Sequence, residues 1–156
     1  MSHTASLIRS GRTVLIVEDE ILPAMAIRDE LEEAGYNVLD LTDRPHEAVA
    51  AALDCKPDIA LVNIQLHGRE QGIELARHLK EMSVPVLFIS GQVSRARSAA
   101  TVAIGSLPKP YSPEDMVLSV NYLLRDLTGD QAAPRPVALE VFNGGVPAAA
   151  AQGSSG

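Results

Sequence analysis

Five side chains in this sequence have types and positions suited to joint chemistry. They are the acids Glu18 and Asp19, the amide of Asn63, the hydroxyl of Ser90 and the ammonium of Lys109. Each stands at or just past the end of an apolar run: Val14-Leu15-Ile16-Val17 before the acids, Ile59-Ala60-Leu61-Val62 before Asn63, residues 84–89 before Ser90 and Leu107-Pro108 before Lys109. Adjacent carboxylates are costly unless a cation or an ammonium offsets them. Carboxylate, carbonyl and water oxygens are the ligands that magnesium favours. Taken singly, each of these residues is ordinary for a loop. Their order and their shared placement carry the signal.

The elements that must position them follow from periodicity. Strands are expected at 13–18, 37–41, 59–63, 84–89 and 106–107, the first, third and fourth apolar almost throughout. Helices are expected at 20–34, after a cap at Thr42 or Asp43 with Pro45 in the first turn, after the 67–71 loop, and at 93–102. A last helix is capped by Ser112, with Pro113 at its first position, and stopped by Gly129. Five βα units predict an α/β fold: a single doubly wound (βα)5 domain with a five-stranded parallel sheet of order 2-1-3-4-5, flavodoxin-like. Ligands of such sheets bind outside the carboxyl ends of the strands. Glu18, Asp19, Asn63, Ser90 and Lys109 all fall at that rim.

The domain is expected at residues 13–127, between a flexible lead-in of residues 1–12 and a disordered tail of residues 128–156. The tail is rich in Ala, Gly, Pro, Ser and Gln, and its only apolar patch is at 137–142. The 156 residues carry a formal net charge of −7, which argues against non-specific nucleic-acid binding and against anionic lipid. No apolar run is long enough to span a bilayer. The single cysteine, Cys55, excludes an internal disulfide and is expected to be partly buried at the end of the second helix. A cytoplasmic location is the simplest reading. No Walker-type or dinucleotide-binding glycine run is present.

Together with Pro57-Asp58 before strand three and Lys109-Pro110-Tyr111 after strand five, the five residues resemble the receiver domain of two-component response regulators. The resemblance covers residues 13–127. It implies a CheY-like signalling module of bacterial phosphorelays that docks on other proteins and is not an enzyme. It implies Mg2+ held by Asp19, by the residue at position 63 and by the backbone carbonyl of Gln65, with Glu18 acting on the metal or its waters. It implies that Lys109 and Ser90 hold a phosphoryl group, and that the peptide bond between Lys109 and Pro110 is cis. The implied partners are a sensor histidine kinase or phosphotransfer protein on the side of helix one, and a downstream target on the face of helix 4, strand 5 and helix 5. A homodimer is also compatible with the resemblance.

The departures are as informative. Position 63 is the family's phospho-acceptor aspartate, and here it is an asparagine. A neutral amide lacks the anionic oxygen that attacks phosphorus, so no acyl phosphate is expected at Asn63. The pocket also has one net negative charge where an aspartate would leave two. One charge interaction at ~4 Å is worth roughly 4 kcal/mol at an effective dielectric near 20, so Mg2+ binding is expected to be weaker. Ser106 stands where the family carries an aromatic switch residue, and the stretch from Ser90 to Lys109 is about one helical turn short of the family pattern. Two origins fit Asn63. The intact Asp19, Ser90 and Lys109 favour a recent or deliberate Asp→Asn change, while Ser106 and the short segment favour natural divergence. No output domain is expected after the receiver. The alternative reading is a phosphorylation-independent pseudo-receiver. A flavodoxin-like cofactor domain is weaker, because the Glu18-Asp19-Glu20 loop would repel a flavin phosphate.

Overall fold

A computed structural model describes residues 12–143. Residues 1–11, most of the expected lead-in, and residues 144–156, the end of the expected tail, lie outside the described residues. In chain order the elements are β1 (Thr13–Val17), α1 (Ile21–Glu33), β2 (Asn37–Val38), α2 (Pro45–Asp54), β3 (Ile59–Asn63), α3 (Gln71–Glu81), β4 (Val86–Ser90), α4 (Val93–Ser98), β5 (Gly105–Pro108), α5 (Pro113–Asp126) and β6 (Glu140–Val141).

The five expected strands are parallel and ordered β2-β1-β3-β4-β5, and a sixth, β6, adds antiparallel to β5. Alternation along the central strands sorts side chains to two cores. Leu15, Val17, Ala60, Val62, Val86 and Phe88 face one cluster, with Ala48 and Ala52 of α2, Leu75 and Leu79 of α3 and Ala96 of α4. Val14, Ile16, Ile59, Leu61, Leu87 and Ile89 face the other, with Ile27 and Leu31 of α1 and Val120 and Leu123 of α5. Strands buried on both faces must be apolar on both, which is why β1, β3 and β4 read as continuous runs.

Several boundaries differ from expectation for local reasons. Strand β2 is short because it is an edge strand whose ladder lapses after Val38 and resumes only as a bridge between Thr42 and Val17. The N-cap of α2 is Arg44, not Thr42 or Asp43. The Thr42 hydroxyl acts one turn further out, accepting from the Arg44 N–H and donating to Glu47. Helix α4 ends at Ser98 instead of 102. Residues 99–102 close with i→i−3 bonds, Ala99 N–H to Ala96, Ala100 N–H to Arg97 and Val102 N–H to Ala99, because the chain must turn at once to pair Ile104 with Val86. Cys55 is exposed, not partly buried, because α2 ends there with the side chain outside both cores. The largest correction is the tail. Residues 128–143 are not structureless: Leu139 is 1% exposed, and Glu140 and Val141 pair with Ser106 and Gly105. Ser112 caps α5 as expected, accepting from the Asp115 N–H at 3.0 Å.

Gly72 governs how close α3 lies to the rim. A Cβ there would overlap the Asn63 carbonyl oxygen and fall 2.6 Å from the Ile64 Cα. Its bare backbone lets the Gly72 N–H reach the Ile64 carbonyl at 2.9 Å. Gly72→Ala is expected to cost about 1–3 kcal/mol of stability, the usual range for overpacking, read as a lower urea midpoint with an unchanged slope.

Candidate functional site

The carboxyl ends of β1, β3, β4 and β5 open on one cleft of about 350 Å³, lined by Asp19, Asn63, Gln65, Ser90, Arg95 and Lys109 among others. Behind the lining lies Glu18, whose side chain has no exposed surface and meets the cleft through Asn63 and Lys109. Chain geometry explains that burial: the Glu18 N–H bonds the Thr42 carbonyl at 3.0 Å, so the strand direction persists one residue beyond β1 and the carboxylate points inward.

Three groups hold the Glu18 carboxylate. The Asn63 Nδ2 donates to its Oε2 at 2.6 Å, and the Asp19 backbone N–H donates to the same oxygen at 3.0 Å. Lys109 Nζ lies 3.8 Å from Oε1, an ion-pair distance too long for a hydrogen bond, and Oε1 is left without a hydrogen-bond donor. Asn63 is itself 4% exposed, and its Nδ2 also reaches Asp19 Oδ1 at 3.3 Å. One neutral amide therefore bridges both acids.

Asp19 faces the cleft and receives the His67 backbone N–H on Oδ2 at 3.0 Å. That N–H is aimed by a left-handed pair, His67 at φ 53° and Gly68 at φ 76°, inside a turn closed by reciprocal bonds between Leu66 and Arg69. The His67 ring lies 3.1 Å from Asp43. Ser90 is tied down by its own loop: its hydroxyl donates to the Gln92 carbonyl at 2.8 Å and accepts the Gln92 N–H at 2.9 Å. The Ser90 carbonyl accepts the Lys109 N–H at 2.8 Å, which fixes the end of β5 against β4. The Lys109 ammonium also meets Glu20 at 3.4 Å, and the bond between Lys109 and Pro110 is cis. At the mouth, Arg95 of α4 grips Glu70 of the β3–α3 loop with two bonds of 2.7 Å.

These contacts divide the two carboxylates. Burial raises the pKa of Glu18, only partly offset by the Asn63 amide and the Lys109 charge. Burial pushes Asp19 up as well, but the His67 N–H and the hydrogen bonds around it outweigh that, so its pKa is lowered. Asp19 is thus the firmly ionised member of the pair.

The structure brings together Glu18, Asp19, Asn63, Ser90 and Lys109, and places Gln65 on the cleft wall. Ser106 is not with them. It is buried in β5, in register with Phe88 on one side and Glu140 on the other. Sequence reasoning missed His67, Glu70, Gln92 and Arg95. The His67-Gly68 step was a turn signal that could have indicated the first. The ion pair between Arg95 and Glu70 joins residues 25 positions apart and has no local signature.

Residues 14–121 match the response regulator receiver domain, and the chain belongs to that family. It is similar to the phosphate regulon transcriptional regulatory protein PhoB of Pseudomonas aeruginosa, 33% identical over 132 residues that cover 80% of this chain and 57% of PhoB. It is 31% identical over 115 residues to the transcriptional regulatory protein PdtaR of Mycobacterium tuberculosis, covering 70% of this chain and 55% of PdtaR. The chain thus spans little more than half the length of these relatives. Among solved structures, the signal receiver domain of a modulated diguanylate cyclase from Desulfovibrio desulfuricans superposes with a TM-score of 0.65 at 38% identity, over 73% of this chain and 94% of that one. Among the described residues no helix is long and apolar enough to cross a membrane.

A carboxyl group whose folded-state pKa is raised binds its proton more tightly folded than unfolded. Its contribution to stability is therefore greatest at low pH and falls as pH rises from about 4.5 through the folded-state value. Glu18→Gln removes the buried charge and is expected to raise stability at pH 7 by about 1 kcal/mol in metal-free buffer. The gain should shrink toward pH 4, as read from urea midpoints across pH.

Proposed function

We propose that this chain is a receiver module that cannot be phosphorylated at Asn63 and acts by docking on protein partners. The supporting observation is the Asn63 amide itself. It occupies the strand-end position of an attacking carboxylate, and its Nδ2 is committed to Glu18 and Asp19. Phosphoryl transfer to a receiver forms a bond from an anionic carboxylate oxygen to phosphorus as the donor's own bond to phosphorus breaks, P–N in a phosphohistidine or P–O in an acyl phosphate; an amide oxygen has neither the charge nor the nucleophilicity. The partners are a sensor histidine kinase or phosphotransfer protein and a downstream target, and the setting is the cytoplasm. On the target side, the edge of β5 carries the chain's own β6, so α4 and α5 are the parts of that face left open to others.

The residues present accommodate Mg2+ only after a rearrangement. Among the described residues no set of three His, Cys, Asp or Glu side chains is placed to hold a metal. The acceptor-only Oε1 of Glu18, buried without a donor, and Asp19 at the cleft surface are suitable oxygens. A half-turn of the Asn63 amide would present its Oδ1 in place of Nδ2, and the Gln65 carbonyl would complete the set. Bound there, Mg2+ would offset the pocket's negative charge and that of an incoming phosphoryl group. Asn63→Asp restores one negative charge and is expected to tighten Mg2+ binding more than tenfold by calorimetric titration.

A second reading is favoured by the same bridge. Because Asn63 donates to both acids, it links them without a ligand, and docking would then be independent of phosphorylation. Incubation with a small acyl phosphate and Mg2+ should leave the intact mass unchanged, while Asn63→Asp should gain one phosphoryl group. Phosphorylation of the unaltered chain at Asp19 or Ser90 would overturn the first reading. Partner affinity indifferent to Asn63→Asp would select the second.

A further inference from the structure

Strand β6 rests on features of β5 and α4 that recognise an extended backbone in general. The pairing is short: Gly105 opposite Val141 and Ser106 opposite Glu140, extended by the Phe142 N–H to the Ile104 carbonyl at 2.8 Å. Close approach depends on Gly105, because a Cβ there would lie 2.7 Å from the Glu140 carbonyl oxygen. Arg97 of α4 takes the Glu140 carboxylate through three N–H···O contacts of 2.6, 2.9 and 3.1 Å. On either side of the acid, Leu139 and Val141 join the core under α1 and α5, while Phe142 packs on the core under α4. The site thus reads backbone, one acidic side chain and apolar neighbours.

The occupant's charged contact lies at the surface. This ion pair has side-chain exposures of 63% for Arg97 and 30% for Glu140, and such pairs add little to stability. The occupant is joined to α5 by an irregular stretch in which Arg125 pairs with Asp130, Gln131 bonds Asp126, and Arg135 stacks over Tyr122 and donates to the Leu139 carbonyl. An edge strand without such cover is a ready template for another chain.

We propose that the β5 edge with Arg97 is a strand-addition site for an extended protein segment bearing one acidic residue between apolar ones, and that residues 139–142 are a built-in occupant which such a partner displaces. The inference does not involve Asn63, so it stands or falls separately from the receiver chemistry. Strand addition gives affinity through main-chain bonds and specificity through alternate side chains; here Arg97 supplies the charge selection.

The test uses the full chain with Glu140→Arg, which sets a like charge against Arg97 while leaving Arg97 and Gly105 in place. Hydrogen exchange at the Phe142 amide should accelerate. A synthetic peptide of residues 135–143 should then bind this variant at least tenfold more tightly than the unaltered chain. Binding should be lost when the peptide's glutamate is replaced by arginine, and should also be lost in a chain carrying Arg97→Glu together with Glu140→Arg. A Phe142 amide that stays protected, a peptide that binds both chains alike, or one that binds regardless of its charge would overturn the proposal.

Discussion

A fully buried carboxylate at the rim of a parallel sheet is the constraint around which this structure is arranged. Glu18 has no exposed side-chain surface, and an ionised group in that position is tolerable only if hydrogen bonds or opposite charge surround it. The Asn63 amide, the Asp19 N–H and the Lys109 ammonium supply these from three directions. Each comes from a different strand end, so the arrangement exists only when β1, β3 and β5 are in register. The amide of Asn63 plays a cation's part: it sets positively polarised hydrogens between two acids that would otherwise repel.

Rigid packing lies behind that geometry. Asn63 ends the central strand β3, and α3 sits directly on it because Gly72 has no side chain. The β3–α3 loop then turns through His67 and Gly68 to deliver a backbone donor to Asp19. Arg95 ties the same loop to α4 through Glu70, and two residues on Arg97 ties α4 to β6. Helix α4 therefore links the cleft to the far edge of the sheet by two ion pairs on one short segment.

The fold was legible because buried parallel strands must be apolar on both faces. Val14 to Val17, Ile59 to Val62 and the run before Ser90 announce themselves on composition alone. The rim residues were legible because strand ends in such a sheet converge, whatever their distance in sequence. What escaped notice depends on contacts without local pattern. Strand β6 is two residues long in a stretch rich in alanine and proline, and only its pairing with Gly105 defines it. The early end of α4 follows from where Ile104 must pair, not from the propensities of residues 99–102, two of which are alanines. The exposure of Cys55 is set by the direction in which α2 ends, which the apolar pattern of that helix does not encode.

The position of β6 in the chain has a consequence for synthesis. Strand β5 and helix α5 are complete by Asp126, but the strand that covers β5 begins at Glu140. At ~5–20 residues per second of translation, the ribosome needs roughly 0.7 to 2.6 seconds to make the intervening stretch. Until Glu140 and Val141 are made and free to pair, the β5 edge lacks the strand that covers it.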